Sequence, residues 1–135
     1  MSNDSFVLDK ENLLKACKIP LIVSVVLGLT FLLKIYLGYL YGLAVTVLAA
    51  YAGAAYMKSV MDSGKIPLIT NAGLNGAILG GVAILTYGLV SQISSSIISQ
   101  DWSINLMSLL FSSLEGAFIG LLGALAWYTY KINTN

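Results

Sequence analysis

The sequence contains neither histidine nor arginine, and it contains a single cysteine. The lack of histidine excludes haem ligation by imidazole, histidine-ligated zinc and histidine acid–base chemistry. The lack of arginine excludes bidentate clamps on phosphate or carboxylate groups. Cys17 has no second cysteine in the chain, so an intrachain disulfide is excluded. We therefore predict no metal site, no cofactor and no catalytic residue.

Charged residues are scarce as well. They make up 10% of the chain, whereas soluble domains carry about 25%. Hydrophobic residues make up 58%, and the mean hydropathy is +0.86. Several apolar runs reach the roughly 20 residues that cross a bilayer. The sequence therefore predicts an integral membrane protein surrounded by lipid, and its net charge of +1 argues against a nucleic-acid partner.

Four apolar runs predict an all-α, four-helix transmembrane bundle made of two helical hairpins. The runs cover about residues 19–37, 39–57, 71–98 and 106–130, within one membrane domain at 19–131. No polar loop separates the first two runs, yet as one helix they would measure roughly 58 Å, nearly twice the hydrocarbon thickness. We therefore expect a tight turn near Gly38. The polar residues at 58–65 predict the loop between the second and third spans.

Residues 1–18 precede the first apolar run. Asp4, Asp9, Lys10 and Glu11 interrupt any apolar core in this segment, so a signal peptide is not expected. Asp9 or Ser5 could cap a short interfacial helix here. A frayed cytoplasmic tail is the alternative.

Lysines are distributed unequally between the two ends of the predicted bundle. Only Lys34 falls at the end opposite to the termini. The lysines at the other end are Lys10, Lys15, Lys18, Lys58, Lys65 and Lys131. Because cytoplasmic loops carry an excess of lysine and arginine, both termini are predicted to be cytoplasmic. The chain is thus expected to be a multi-pass protein of the cytoplasmic membrane.

The pentapeptide Lys-Ile-Pro-Leu-Ile occurs twice, at 18–22 and at 65–69. We expect each copy to begin a span, with Pro20 and Pro67 in a first helical turn, where the missing N–H would be unpaired anyway. A further interpretation is a duplicated hairpin with parallel repeats. The ungapped similarity of residues 40–56 to residues 114–130 supports it. The alternative is that apolar sequences rich in Leu, Ala and Gly match easily.

Small residues recur at three- and four-residue spacing on the last three spans, which places them on one face of each helix. Seven glycines of these stripes are predicted to pack helices against one another: Gly42, Gly53, Gly76, Gly80, Gly116, Gly120 and Gly123. In lipid, small residues let helix backbones approach closely. Three interpretations are open: the core of one bundle, an interface between copies, and a narrow pore.

Glu115 is the one acidic residue inside a predicted span, and an intramembrane carboxyl group indicates function. Ser112 precedes it at helical spacing. Counting about 1.5 Å per residue places Thr30, Thr46 and Tyr87 at a similar depth. These residues predict a polar layer across the bundle. In this layer Glu115 is either a neutral, hydrogen-bonded fastener or a titrating group in a wet cavity.

The segments "LYGL", "TNAGLNGAILGG" and "SSLEGAFIGLLGALAW" follow one another along the chain. This succession resembles small archaeal four-span membrane proteins of unknown function. The resemblance covers about residues 40–130. It implies a four-span fold and no catalytic residues to transfer.

The sequence thus predicts a small membrane protein without enzymatic activity. The leading interpretation is a packing, assembly or accessory subunit. It would oligomerise through its glycine-rich faces, as a homo-oligomer or in a larger membrane complex. The alternative is a small proton- or cation-linked channel or transporter centred on Glu115.

Overall fold

The computed structural model describes residues 6–33, 38–64 and 67–134, and this part of the chain is helical apart from short connections. The four helices are α1 (Lys10–Leu29), α2 (Tyr39–Asp62), α3 (Ile69–Ser99) and α4 (Leu106–Thr134), and a 3₁₀ turn at Thr30–Leu33 extends α1. All four are long and apolar enough to cross a membrane. The chain is therefore an all-α, multi-pass membrane protein with a four-helix bundle, as the sequence predicts.

Helix α1 begins at Lys10, well before the predicted start of the first span at about residue 19. Asp9 is its N-cap residue. The Asp9 carboxylate accepts a hydrogen bond from the backbone N–H of Asn12 at 3.3 Å and another from the Asn12 side-chain amide at 2.8 Å. This cap satisfies N–H groups that the first turn of a helix leaves unpaired. Residues 10–18 and the first span consequently form one continuous helix.

The two copies of the repeated pentapeptide take different conformations. Pro20 lies inside α1 and is buried. Pro67 precedes α3, which begins at Ile69. The prediction that both prolines lie in a first helical turn is therefore wrong, because the Asp9 cap moves the start of α1 upstream. Residues 65–66 of the second copy lie outside the described residues.

The turn between the first two spans falls where chain length requires it. Gly38 directly precedes α2 and has φ +58° and ψ −125°, a backbone conformation that side chains other than glycine strongly disfavour. Residues 34–37, which include Lys34, lie outside the described residues. Helix α2 ends at Asp62 rather than at about residue 57. The predicted second loop is correspondingly shorter.

The helices have a rhombic arrangement. Within the described residues, α2 and α3 each contact all three other helices, whereas α1 and α4 do not approach each other closely. We call the end that holds the starts of α1 and α3 and the ends of α2 and α4 the lysine-rich end. The main apolar core lies in the half of the bundle near this end. It is formed by Ala52, Tyr56, Met57, Val60, Ala72, Leu79, Ala83 and Ala124.

Six of the seven predicted glycines lie at buried contacts between helices of this chain. We call Gly53, Gly76, Gly80, Gly116, Gly120 and Gly123 the glycine seam. A β-carbon on Gly120 would lie 2.6 Å from the Gly76 carbonyl oxygen and 2.9 Å from the Gly80 α-carbon. A β-carbon on Gly53 would collide with the Gly120 backbone. The seam therefore joins α4 to α2 and α3, and a second copy cannot use these buried glycines.

Gly42 differs from the six residues of the seam. A β-carbon on it would meet nothing within 4 Å. This glycine lies in the first turn of α2, at the end of the bundle opposite to the lysine-rich end. It is available to a ligand or to a partner chain.

Candidate functional site

Beyond the glycine seam, α2, α3 and α4 surround a cavity of about 560 Å³ at the end opposite to the lysine-rich end. Phe31 of the 3₁₀ turn and the connection between α3 and α4 complete its wall. Its polar lining residues are Thr46, Tyr87, Ser91, Gln92, Ser95, Ser96, Ser99, Asp101, Ser103, Asn105, Ser108, Ser112 and Glu115. The size is that of a small-molecule site.

The spacing of polar residues along α3 and α4 explains why they line one space. On α3, Ser91, Ser95 and Ser99 recur at every fourth position. On α4, Ser112 and Glu115 are three residues apart. Residues three or four apart share one face of a helix. Helix α3 continues to Ser99, close to the predicted end of the third span at about residue 98, so these serines belong to one helix.

Glu115 is turned towards this cavity by its neighbour in the seam. Gly116 is buried against α3, and adjacent residues of an α-helix point about 100° apart, so Glu115 points away from this contact. Glu115 is consequently exposed and lines the cavity. No residue in the described part of the chain lies within hydrogen-bond or ion-pair distance of its carboxyl group. The fastener interpretation, in which Glu115 donates to a threonine or tyrosine, therefore gains no support from the geometry.

The structure brings four of the five predicted polar-layer residues around this cavity. Thr46, Tyr87, Ser112 and Glu115 all line it, but no hydrogen bond joins them to one another within the described residues. The Thr46 hydroxyl donates instead to the Gly42 carbonyl of its own helix at 2.8 Å.

Thr30 is the exception. Its hydroxyl donates to the Leu27 carbonyl at 2.6 Å and lies 2.5 Å from the Tyr41 hydroxyl. It is not part of the cavity wall. Four of the five residues predicted to lie at a similar depth therefore line one cavity, but they do not form a hydrogen-bonded layer.

The mouth of the cavity is formed by the connection between α3 and α4. The Asn105 backbone N–H donates to the Gln92 side-chain oxygen at 2.7 Å, and the Gln92 amide donates to the Asn105 carbonyl at 3.3 Å. The Asn105 side-chain oxygen also accepts from the Ser108 N–H at 3.0 Å, as an N-cap does. These bonds hold the connection against α3. They also place exposed Asp101 in the cavity wall.

Sequence reasoning missed Asp101 and the pairing of Gln92 with Asn105. The sequence does indicate the role of Asn105, because an asparagine directly before an apolar run is a typical helix N-cap. No sequence pattern indicates that Gln92 reaches the connection.

Both charged residues of the cavity wall are acidic. Asp101 lies at the mouth and Glu115 lies deeper, and no lysine of the described chain lines the cavity. No group of three metal-ligating side chains is found in the described residues. The cavity can therefore attract a partly hydrated cation or a protonated amine through carboxylates and hydroxyls.

A second polar cluster lies at the lysine-rich end, and sequence reasoning missed it too. The side-chain oxygen of fully buried Asn75 accepts from the Asp9 N–H at 2.9 Å, and its amide donates to the Val7 carbonyl at 3.0 Å. The Asn71 oxygen accepts from the Val7 N–H at 2.8 Å. Asn71 and Asn75 lie inside α3, and their side chains bind the backbone of residues 7 and 9.

The same cluster extends to the end of α2. The Tyr56 hydroxyl donates to the Asp9 carboxylate at 3.1 Å, and the Ser59 hydroxyl donates to the side-chain oxygen of buried Asn12 at 2.8 Å. These polar groups bind one another. The cluster therefore ties the N-terminal segment to α2 and α3 and contributes to packing at this end.

Comparisons of the chain with family models, with curated proteins and with solved structures find no match. The resemblance to archaeal four-span membrane proteins therefore stays a prediction. The function has to be argued from the geometry of the cavity.

Proposed function

We propose that this chain is a small proton- or cation-linked transport protein whose site is the polar cavity with Glu115. The observation that carries the proposal is a carboxyl group within a membrane-spanning helix that faces a cavity of about 560 Å³. Glu115 is the tenth residue of α4, which places it about 14 Å along the helix axis from Leu106. Ionisable residues at membrane depth that face a water-filled cavity are typical of ion and proton pathways.

The charge of the cavity wall supports a cation as the transported species. Asp101 at the mouth and Glu115 deeper in the cavity make the wall negative when they are ionised. The hydroxyls between them can replace part of the hydration shell of a cation. A cation entering from the mouth would reach Glu115 along this polar wall.

The glycine seam favours a carrier over an open channel. At Gly80 and Gly120 the helices approach so closely that even a β-carbon would collide with the neighbouring backbone. The cavity is therefore closed towards the lysine-rich end in this conformation. A carrier that exposes its site to one side at a time requires such a closed half.

An assembly or accessory role is the second candidate. Glu115 is exposed in the single chain, and Gly42 has open space beside it on the same cavity wall. A partner subunit that covers the cavity would fill this space and supply hydrogen-bond partners for Glu115. Oligomerisation through the six seam glycines is no longer part of this proposal, because they are buried within one chain.

The orientation in the membrane belongs to the same proposal. The described lysines Lys10, Lys15, Lys18, Lys58 and Lys131 support a cytoplasmic lysine-rich end with both termini, in the cytoplasmic membrane. The cavity would then open to the outside.

Cysteine labelling tests this orientation. In a Cys17→Ser background, an impermeant thiol reagent added to intact cells should label Trp102→Cys and should not label Ser63→Cys. Labelling in the opposite pattern would reverse the orientation.

A liposome flux assay on the purified protein tests the transport function. Parent protein should carry protons or monovalent cations, and Glu115→Gln should abolish the flux while the protein still folds. Glu11→Gln is the matched control, because it removes one charge from an exposed residue that pairs with Lys15 at the other end. This variant should keep the flux.

Two outcomes would contradict the transport function: absence of flux in the parent protein, or equal flux in parent and Glu115→Gln. A particle mass in nanodiscs larger than one chain, together with protection of Glu115 in that particle, would then support the assembly role.

A further inference from the structure

A separate cavity of about 480 Å³ lies at the lysine-rich end, where α1, α2 and α4 meet. Lys15 of α1, Lys58 of α2 and Trp127 of α4 all line it. From this geometry we infer a binding site for an anionic phospholipid, with its phosphate held by the two lysines. This site is independent of the polar cavity and of the proposed transport.

Both ammonium groups are accessible to a phosphate. The side chains of Lys15 and Lys58 are 61% and 56% exposed. Each pairs with a carboxylate one turn away on its own helix, Glu11 at 3.1 Å and Asp62 at 2.6 Å. Exposed pairs of this kind contribute little stability, so a phosphate that contacts both lysines can compete with them. Basic pockets between transmembrane helices are typical sites for lipid headgroups.

Trp127 supplies an unused hydrogen-bond donor. Its indole Nε1 is buried and has no hydrogen-bond partner in the described part of the chain. Buried N–H groups of folded proteins are nearly always paired. Trp127 lines the cavity, so a rotation of its side chain that exposes Nε1 would let a phosphate or ester oxygen there accept this hydrogen bond. The donor distinguishes this cavity from a merely basic surface.

An apolar groove continues from this cavity towards the middle of the membrane. A neighbouring cavity of about 500 Å³ between α2 and α4 is lined by Val47, Ala50 and other apolar residues. The two cavities share Tyr51, Ala54 and Trp127. A charged end that continues into an apolar groove matches an amphiphile. The occupant is thus a lipid with an anionic head, its acyl chain lying along the small residues of α2.

Fluorescence of Trp127 tests this site. In a Trp102→Phe background Trp127 is the only tryptophan. Nanodiscs of phosphatidylcholine with a rising fraction of phosphatidylglycerol should give a saturable change in its emission. The double variant Lys15→Gln/Lys58→Gln should raise the phosphatidylglycerol fraction at half response about thirtyfold, since each lysine near an anionic lipid contributes roughly 1 kcal/mol.

A matched double variant distinguishes binding at this cavity from a general electrostatic attraction between the lysine-rich end and anionic lipids. Lys10→Gln/Lys18→Gln removes the same charge from the same end, but neither residue lines the cavity. It should leave the response nearly unchanged. Equal losses in the two double variants, or no difference between phosphatidylglycerol and phosphatidylcholine, would overturn the site. A saturable response to inorganic phosphate in pure phosphatidylcholine nanodiscs would overturn the lipid as its occupant and leave a soluble-anion site.

Discussion

Helices α3 and α4 behave differently in the two halves of the bundle. Near the lysine-rich end, Gly76, Gly80 and Gly120 bring their backbones together with no room for a β-carbon. Towards the other end, serines of the same two helices and Glu115 line a cavity of about 560 Å³, although the helices still meet where Gly88 faces Leu109. The size and polarity of the facing residues therefore decide whether this helix pair is closed and dry or open and polar. The closed half can hold the helices while the open half binds a ligand.

The largest effect is expected in the closed half. Gly120→Leu places a side chain against the Gly76 carbonyl and the Gly80 α-carbon, which are backbone atoms and cannot move aside as a side chain would. We expect a loss of at least about 3 kcal/mol in unfolding free energy, or failure to fold. Denaturation in mixed micelles, followed by tryptophan fluorescence, measures it.

The control for this substitution lies in the open half. Gly42→Leu adds the same side chain at a glycine that has open space around it. Its unfolding free energy should stay within about 0.5 kcal/mol of the parent. If both leucine variants are equally stable, the contrast between the two halves is wrong.

A smaller loss is expected from Asn75→Ala in the polar cluster of the closed half. The change removes a fully buried side chain together with its hydrogen bonds to the Asp9 N–H and the Val7 carbonyl. Each such hydrogen bond contributes about 0.5–1.5 kcal/mol, so we expect a loss of about 1–3 kcal/mol. The same unfolding assay measures it.

Asn71→Ala removes the same side chain type one helical turn away, where its one hydrogen bond within the described residues is to the exposed Val7 N–H. It should cost less than about 1 kcal/mol. Equal losses in the two variants would show that burial does not set the strength of this cluster.

The sequence predicts the spans well because span length is set by bilayer thickness and by apolar runs, both of which are local. The predicted start of α1 is too late in the chain. Hydropathy alone begins the helix at the apolar run, at about residue 19, whereas the cap formed by Asp9 and Asn12 begins it at Lys10. Asn12 is buried there against Ser59, which is distant in the chain. Such partners exist only after folding.

Depth counting predicts which polar residues share a level, and four of them do line one cavity. It does not predict helix rotation, so a hydrogen-bonded Glu115 and a cavity-facing Glu115 are equally compatible with the sequence. Thr30 falls outside the cavity, and its hydroxyl instead contacts the Leu27 carbonyl and the Tyr41 hydroxyl. The rotation of α4 follows from Gly116, whose burial turns Glu115 outwards.

Thiol labelling can test whether the open half holds water. Ser112 lines the cavity, whereas Leu114 is 59% exposed on another face of α4 and lines a different, apolar cavity of about 400 Å³ between α3 and α4. Thiols react as thiolates, which form where water reaches them. In a Cys17→Ser background, Ser112→Cys should react with a small water-soluble reagent roughly tenfold faster than Leu114→Cys. Faster labelling at position 114 would mean that exposure and not water decides the rate, and the cavity would then be dry.

The smallest effect on stability is expected at Glu115 itself. Its carboxyl group binds no residue of the described chain and faces the cavity, so neither Glu115→Gln nor Glu115→Leu leaves a partner unpaired. Both variants should have an unfolding free energy within about 0.5 kcal/mol of the parent, in contrast to Asn75→Ala in the closed half.

A loss of about 1–2 kcal/mol in Glu115→Leu alone, with Glu115→Gln neutral, would restore the fastener role, because only the amide keeps a donor. A clear gain in stability in Glu115→Leu would place the carboxyl group against lipid, since removing a polar group from hydrocarbon stabilises a membrane protein. Only the neutral result in both variants, combined with lost flux in Glu115→Gln, separates a transport site from a structural residue.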